Sequence, residues 1–272
     1  MRIEELWRYP LKSGRGLACS ELELEPWGAV GDRRWAVIGA EGKKVTGREA
    51  PELLRVAAVP IDGGGIELEY AGRRLAVPTP AAGPLVEVNF SRLPKATDAG
   101  DDAAAFVTDV IGHEARLVWQ ADPTARSVNP GNGGLDGETL SLADAGPLLL
   151  ASRASLAQLQ EWVAETSSPI EPVEISIRRF RPNIVIDGDE PFAEDGWSRV
   201  RIGEVDFRFQ QICDRCVFTT IDPDTLARGP EPIRTLARHR KWDGKTWFGI
   251  RLVPLLGDGG PGTIRVGDPV RP

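Results

Sequence analysis

The sequence predicts an α+β protein that is mainly β, and three observations predict it. Gly and Pro punctuate the chain densely, 30 and 22 of them in 272 residues, and the segments they bound are short and rich in Val, Ile and Leu. Residues 21–25, 66–70 and 205–209 alternate apolar with polar, the period of two that lets a strand bury one face and wet the other. Helical spacing shows in just two segments.

From the N-terminus, the alternating run Glu21 to Glu25 predicts a strand, and residues 34–38 a second. Residues 66–70 and 85–88 come next. Asp101 to Ile111 predicts a helix, because Ala104, Val107 and Ile111 fall on one face and Gly112 supplies a C-terminal stop. Residues 116–119 read as a strand. The stretch 121–138, ADPTARSVNPGNGGLDGE, has little to bury and many turn formers, so it is a linker or a functional loop. A domain boundary is placed at its start, giving domains 1–121 and 122–272. Residues 147–151 form one of the richest apolar runs. Ser152 then predicts an N-cap for a helix over 153–165, with Leu156, Leu159, Trp162 and Val163 along one face. Residues 183–186, 205–209 and 263–266 complete the predicted strands, and the apolar runs 147–151 and 250–256 suit buried strands or helix ends.

Hydrophobic residues at 41% and charged residues at 27% are those of a folded globular chain, which excludes disorder and a disulfide scaffold. The net charge of −7 argues against general attraction to nucleic acid or anionic membrane, so neither is expected as a partner. No window approaches the ~20 apolar residues of a membrane-spanning helix. Glu4 and Glu5 interrupt the start of the chain where a signal peptide would need an apolar core, and a cytoplasmic location is expected.

The cysteines are Cys19, Cys213 and Cys216. Cys213-Asp214-Arg215-Cys216 is a lone CxxC: a zinc site would need a second pair, and the histidines are His113 and His239 alone. A redox CxxC normally opens a helix, whereas Val217-Phe218-Thr219-Thr220 predicts strand. Two buried cysteines packing as small hydrophobes is the plain alternative. Arg215 weighs against it, because a neighbouring guanidinium favours thiolate, the form that ligates a soft metal. Cationic turns recur at Tyr9-Pro10-Leu11-Lys12-Ser13-Gly14, Gly31-Asp32-Arg33-Arg34-Trp35 and Arg178-Arg179-Phe180-Arg181-Pro182-Asn183. Each adjoins a strand-like run from which Lys or Arg can reach a phosphate, the alternative being charges that are simply solvated. Arg126, Asn129 and Asn132 carry the same two readings, as loop residues at a substrate mouth or in solvent. His113 comes directly after the helix stop, where a cap or solvent contact is expected. Trp242 and Trp247 flank a basic turn and are read as core or interface packing.

Five blocks in order, Tyr9-Pro-Leu-Lys-Ser13, Gly31-Asp-Arg-Arg-Trp35, Phe180-Arg-Pro-Asn-Ile-Val185, Arg215-Cys-Val-Phe-Thr-Thr220 with Asp222-Pro-Asp-Thr225, and Gly262-Thr-Ile-Arg-Val-Gly-Asp-Pro-Val270, resemble proteins with an N-terminal MOSC-associated β-barrel and a MOSC domain. The nearest of these look like the mitochondrial amidoxime-reducing component and its bacterial counterparts. The resemblance spans essentially the whole chain. It implies a MOSC-associated β-barrel packed on a MOSC β-barrel domain with a few helices. It implies molybdenum cofactor, Mo-molybdopterin, as cofactor, with Cys216 as metal ligand and catalytic residue. It also implies that Lys12, Ser13, Arg33, Arg181 and Asn183 hold the pterin and phosphate, with Arg215 adding to their field. The implied reaction is reduction of a small N-hydroxylated compound, an amidoxime, hydroxylamine or N-hydroxylated base, by electrons from a separate electron-transfer protein. The alternative is a cofactor carrier or sulfur-handling protein without turnover. Asp214 departs from the small hydroxyl residue frequent in relatives at that position, which leaves a polar contact near the metal open.

Overall fold

The computed structural model describes residues 1–166, 173–257 and 262–272. Among the described residues, strand at 39% against helix at 22% makes the fold mainly β. The chain divides into two discontinuous units, one of residues 8–17 and 30–145, the other of residues 1–7, 18–29 and 146–272.

In the unit of residues 8–17 and 30–145, a sheet runs in the order Leu85–Phe90, Leu93–Asp98, Arg116–Trp119, Trp35–Ile38, Lys44–Val45, beside a three-stranded meander of Ala57–Pro60, Ile66–Tyr70 and Arg73–Val77. Helix α1, Asp101–Ile111, ends where expected: Gly112 takes the left-handed conformation at φ 78° and its N–H returns to the Thr108 carbonyl. Its Phe106 and Val107 pack into a core with Leu53, Leu68 and Leu117.

In the other unit, a sheet runs Leu17–Cys19, Ile3–Arg8, Ile184–Ile186, Leu148–Ser152, Lys245–Leu255, Val205–Arg215, Arg199–Ile202, Val270–Arg271, with Lys241–Trp242 paired to Lys245–Leu255. Leu148–Ser152 and Ile184–Ile186 are parallel neighbours. Parallel pairing needs a crossover, and helix α2, Arg153–Thr166, lies between them in sequence. Ser152 caps it as expected, its Oγ accepting from the Ser155 N–H at 3.4 Å. Leu159 and Val163 of the expected face are buried against Phe180, Val185 and Phe248. A separate sheet pairs Gly262–Arg265, Glu21–Glu25 and Gly28–Ala29. Leu22 and Leu24 face inward there while Glu21 and Glu23 meet solvent, as the alternation requires. Among the described residues no helix is long and apolar enough to cross a membrane.

Two local expectations change. The strand expected over 205–209 continues to Arg215, and beyond Cys216 the chain closes into a 3-10 turn, Val217–Thr220, rather than a strand. Helix α3, Ile233–His239, carried no usable period in seven residues. The long strand pair is also irregular where it matters. Ile212 pairs with Ile250 and Asp214 with Trp247, so Lys245–Leu255 holds one residue more than its partner there. That bulge contains Gly249 at φ 70°. A Cβ at Gly249 would lie 2.7 Å from the Leu150 carbonyl oxygen, so only glycine fits this turn of the strand without displacement.

Candidate functional site

The CxxC block lies at the end of strand Val205–Arg215. Cys213 points inward and is buried, while Cys216 is exposed, and both are free thiols. Cys216 begins the 3-10 turn with extended backbone, φ −120° and ψ 176°. Between the cysteines, Arg215 turns back into the fold. Its Nε donates to the Phe248 carbonyl at 2.8 Å and its Nη1 to the Phe180 carbonyl at 3.1 Å. The guanidinium sits 5.3 Å over the Phe180 ring. Its Nη2 is buried with no hydrogen-bond partner among the described residues. Burial pulls the Arg215 pKa below the ordinary guanidinium value; Cys213 opposes this, Arg251 reinforces it, and Asp214 and Cys216 oppose it. Arg215 is therefore a buried cation beside an exposed thiol with one donor unspent.

Asp214 is committed elsewhere. It pairs with Arg251 across the sheet, and Arg251 also donates to Gln211 Oε1 at 3.0 Å. The turn after Cys216 is tied down by Arg179, whose Nη1 donates to the Thr220 carbonyl at 3.1 Å and whose Nη2 pairs with Asp222 at 2.9 Å. Asp222 in turn accepts from the Asp224 and Thr225 N–H groups. Burial raises its pKa, but those hydrogen bonds and Arg179 outweigh burial and leave the carboxyl below its usual range. Arg178 forms a bidentate pair with Asp224.

Arg181 caps the 3-10 turn Ile177–Phe180 and lies 5.9 Å over the ring of Phe218, inside the turn that Cys216 opens. Arg181, Arg215 and Cys216 are thus neighbours in one part of the fold. Asn183 is buried within the sheet: its Oδ1 accepts from the Leu149 N–H at 3.3 Å and its Nδ2 donates to the Trp7 carbonyl at 3.1 Å.

Lys12, Ser13 and Arg33 belong to the unit of residues 8–17 and 30–145. Lys12 is no solvated turn charge. It is 7% exposed, its Nζ donating to the Leu142 carbonyl at 2.8 Å and to Asp144 at 2.5 Å. Burial lowers its pKa against the pull of Asp144. The Asp144 carboxyl, on the surface, is held well below the usual range, first by the charge of Lys12 and further by Arg48 and Lys44. Arg33 pairs with the buried Asp32 and lies 4.6 Å over the Tyr9 ring. Burial works against its charge, yet Asp32 and Tyr9 hold it raised. Ser13, Arg33 and Arg181 all hold the left-handed conformation, at φ 62°, 49° and 57°. Each costs about 1 kcal/mol or more for a residue with a Cβ, a cost that concentrates at functional turns.

Sequence reasoning missed Asp144, which carries no local signal, and did not read the pairing of Asp32 with its neighbour Arg33. It also left Arg126 between a substrate mouth and solvent, and neither holds. Arg126 is 4% exposed and donates to the backbone carbonyls of Ser91, Ser141 and Ala143, with burial lowering its pKa to about 10. Asn129 caps the 3-10 turn Pro130–Asn132 by accepting from the Gly131 N–H. Among the described residues no three His, Cys, Asp or Glu side chains gather closely enough to hold a metal ion by themselves.

The family model for the MOSC domain matches residues 137–271, and that for the MOSC N-terminal beta barrel domain matches residues 1–114. The chain is 34% identical to mitochondrial amidoxime-reducing component 1 of Mus musculus, over 98% of this chain and 81% of that protein. Its identity to the Homo sapiens protein of the same name is 32%, over 98% of this chain and 82% of the relative. It is also 30% identical to the molybdenum cofactor sulfurase of Danio rerio, over 92% of this chain but 31% of that longer protein. With both domains matched in order and nearly the whole chain aligned, the protein belongs to the MOSC family, in the branch that pairs a MOSC domain with a MOSC N-terminal beta barrel and includes the mitochondrial amidoxime-reducing components.

Proposed function

We propose that this chain is a molybdenum-cofactor-dependent reductase of N-hydroxylated compounds that draws its electrons from a separate protein. The observation that carries the reading is the exposed Cys216 thiol beside the buried Arg215, whose Nη2 has no partner among the described residues. The names of relatives at 34% and 32% identity support the reduction of amidoximes in particular.

The residues fit such a cofactor. A metal bearing sulfur ligands of its own asks the protein for one soft donor, and Cys216 is an exposed cysteine with no metal-binding cluster around it among the described residues. Cys216 would hold the metal; Lys12, Ser13, Arg33, Arg181 and Arg215 would hold the anionic remainder, while the buried Asn183 side chain, bonded to the Leu149 N–H and the Trp7 carbonyl, would brace the strand that follows Arg181. When bound, the cofactor supplies a two-electron redox centre. The overall reaction takes R–NHOH, two electrons and two protons to R–NH2 and water.

This chain's own residues do the rest. The Arg215 guanidinium sets a positive charge next to the Cys216 sulfur. Its anchors on the Phe248 and Phe180 carbonyls fix that charge in place, so no reorganisation is needed when an anion arrives. Arg179 holds the turn that orients Cys216. Lys12 already pairs with Asp144, so a phosphate reaching Lys12 competes with that carboxylate.

The sulfurase relative motivates a second reading, a carrier that binds cofactor without turnover. One experiment separates the two. Protein purified from a host that makes the cofactor is assayed for metal and for benzamidoxime loss with reduced viologen dye. Up to one molybdenum per chain with turnover, and loss of turnover in a folded Cys216→Ser, is the expected result. A loaded protein inert with every N-hydroxylated substrate favours the carrier, and metal-free protein from a competent host overturns both.

A further inference from the structure

Residues 233–245, IRTLARHRKWDGK, carry Arg234, Arg238, Arg240, Lys241 and Lys245 against Asp243 alone, in a chain of net charge −7. The segment comprises α3 and the hairpin Lys241–Trp242 with the start of Lys245–Leu255. Some of this charge is spent locally: Arg240 pairs with Asp195 between the rings of Phe192 and Trp242, and Arg234 pairs with the buried Glu231. Arg238, Lys241 and Lys245 are exposed and make no ion pair among the described residues. Trp242, 39% exposed, stacks on Trp247 at 5.5 Å. Lys245 Nζ lies 5.5 Å over the Trp247 ring, so the patch combines exposed cations outside any ion pair with a supported aromatic surface, the composition of a protein interface core with a charged rim.

Register ties this patch to the cysteine turn. Arg215 pairs with Thr246, and Thr246 pairs with Lys241. Three neighbouring strands thus place the Lys241 Cα about 10 Å from that of Arg215, two inter-strand spacings away. Cys216 is the next residue after Arg215, and Lys245 precedes Thr246 directly.

We propose that this basic face docks a small acidic one-electron carrier protein, of heme or iron–sulfur type, that reduces the site at Cys216. The proposal rests on the reductase reading, under which each substrate consumes two electrons from two reduced carriers. Charge complementarity selects the occupant: a carboxylate-rich partner is steered to a strongly cationic face on a chain whose net charge repels it. A nucleic acid would meet only a short cationic stretch on an acidic protein.

The test uses the full metal-loaded chain, an acidic plant-type [2Fe–2S] ferredoxin as probe and basic cytochrome c as the charge-inverted control. Ferredoxin affinity and carrier-driven turnover are measured against ionic strength for wild type and for Arg238→Glu/Lys241→Glu/Lys245→Glu. The variant should bind ferredoxin on the order of tenfold or more weakly at low salt, lose carrier-driven turnover in proportion, and keep dye-driven turnover. Cytochrome c should bind the variant no more weakly than wild type. Equal ferredoxin affinity for the two proteins overturns the proposal, as does patch-dependent binding of a duplex or single-stranded oligonucleotide without ferredoxin binding. Absence of dye-driven turnover in wild type would instead count against the reductase reading, and the affinity measurement would still decide the docking face.

Discussion

The Arg215 Nε donates to the Phe248 carbonyl at 2.8 Å, and this bond crosses between strands at the bulge where Gly249 turns Lys245–Leu255 out of register. The bulge thus buries a cation one residue from the thiol-bearing Cys216.

Gly249→Ala should therefore be costly far beyond its one added methyl group. The new Cβ would meet the Leu150 carbonyl at 2.7 Å, and φ 70° is strained for any residue with a Cβ. A loss of about 1–3 kcal/mol is expected, read as a lower urea midpoint. An unchanged midpoint would show that the bulge relaxes freely.

The two CxxC thiols should react on different timescales. In a Cys19→Ser background, a thiol reagent should modify Cys216 promptly in the native protein and Cys213 only with opening or unfolding, because one is exposed and the other buried. Mass spectrometry of peptides during labelling checks this. Equal rates would mean that Cys213 is not held inside.

Asp98 should contribute an acid-sensitive part of the stability. Burial raises its pKa, but the Arg116 hydrogen bonds, the Gly100 N–H and the Arg116 charge outweigh burial, leaving the carboxyl below its ordinary value of 3.8. A depressed folded pKa stabilises above the unfolded pKa, and that stability is lost as pH falls through the folded value. Asp98→Asn should thus cost about 1–2 kcal/mol at pH 7, discounted because Arg116 is partly exposed. The gap from wild type should narrow as pH drops below 3.8. Denaturant titrations at neutral and acid pH test the sign; a gap that widened in acid would contradict it.

Lys12 and Arg33 should both affect cofactor retention, but with different side effects on folding. Lys12→Met removes a buried ammonium that bonds the Leu142 carbonyl and Asp144, so Tm should fall together with occupancy. Asp144→Asn keeps the ammonium and removes its competitor, so occupancy should hold or rise while Tm falls. Arg33→Met should lower retention about ten- to hundredfold, the worth of a charge-assisted contact. Metal content and thermal melts read the two effects separately, and unchanged occupancy in Arg33→Met would remove Arg33 from the site.

The sequence by itself determined those elements whose faces are set by local spacing. Glu21–Glu25 alternates and buries Leu22 and Leu24, and Asp101–Ile111 runs to a left-handed Gly112. The ordered blocks around Lys12, Arg33, Arg181 and Cys216 also marked the family before any contact was known. Tertiary structure alone decided what those residues touch. Val217–Thr220 is composed of strand formers, yet it closes as a 3-10 turn whose Thr220 carbonyl is taken by Arg179, 41 residues away. Lys12 reads as a turn charge until the fold brings Asp144 from 132 residues along the chain to its ammonium. Arg126 reads as a loop charge until the backbone carbonyls close over it. The physical reason is the same in each case. Periodicity reports the face a residue presents, whereas the partner of a buried charge is set by which distant segment the fold desolvates it against.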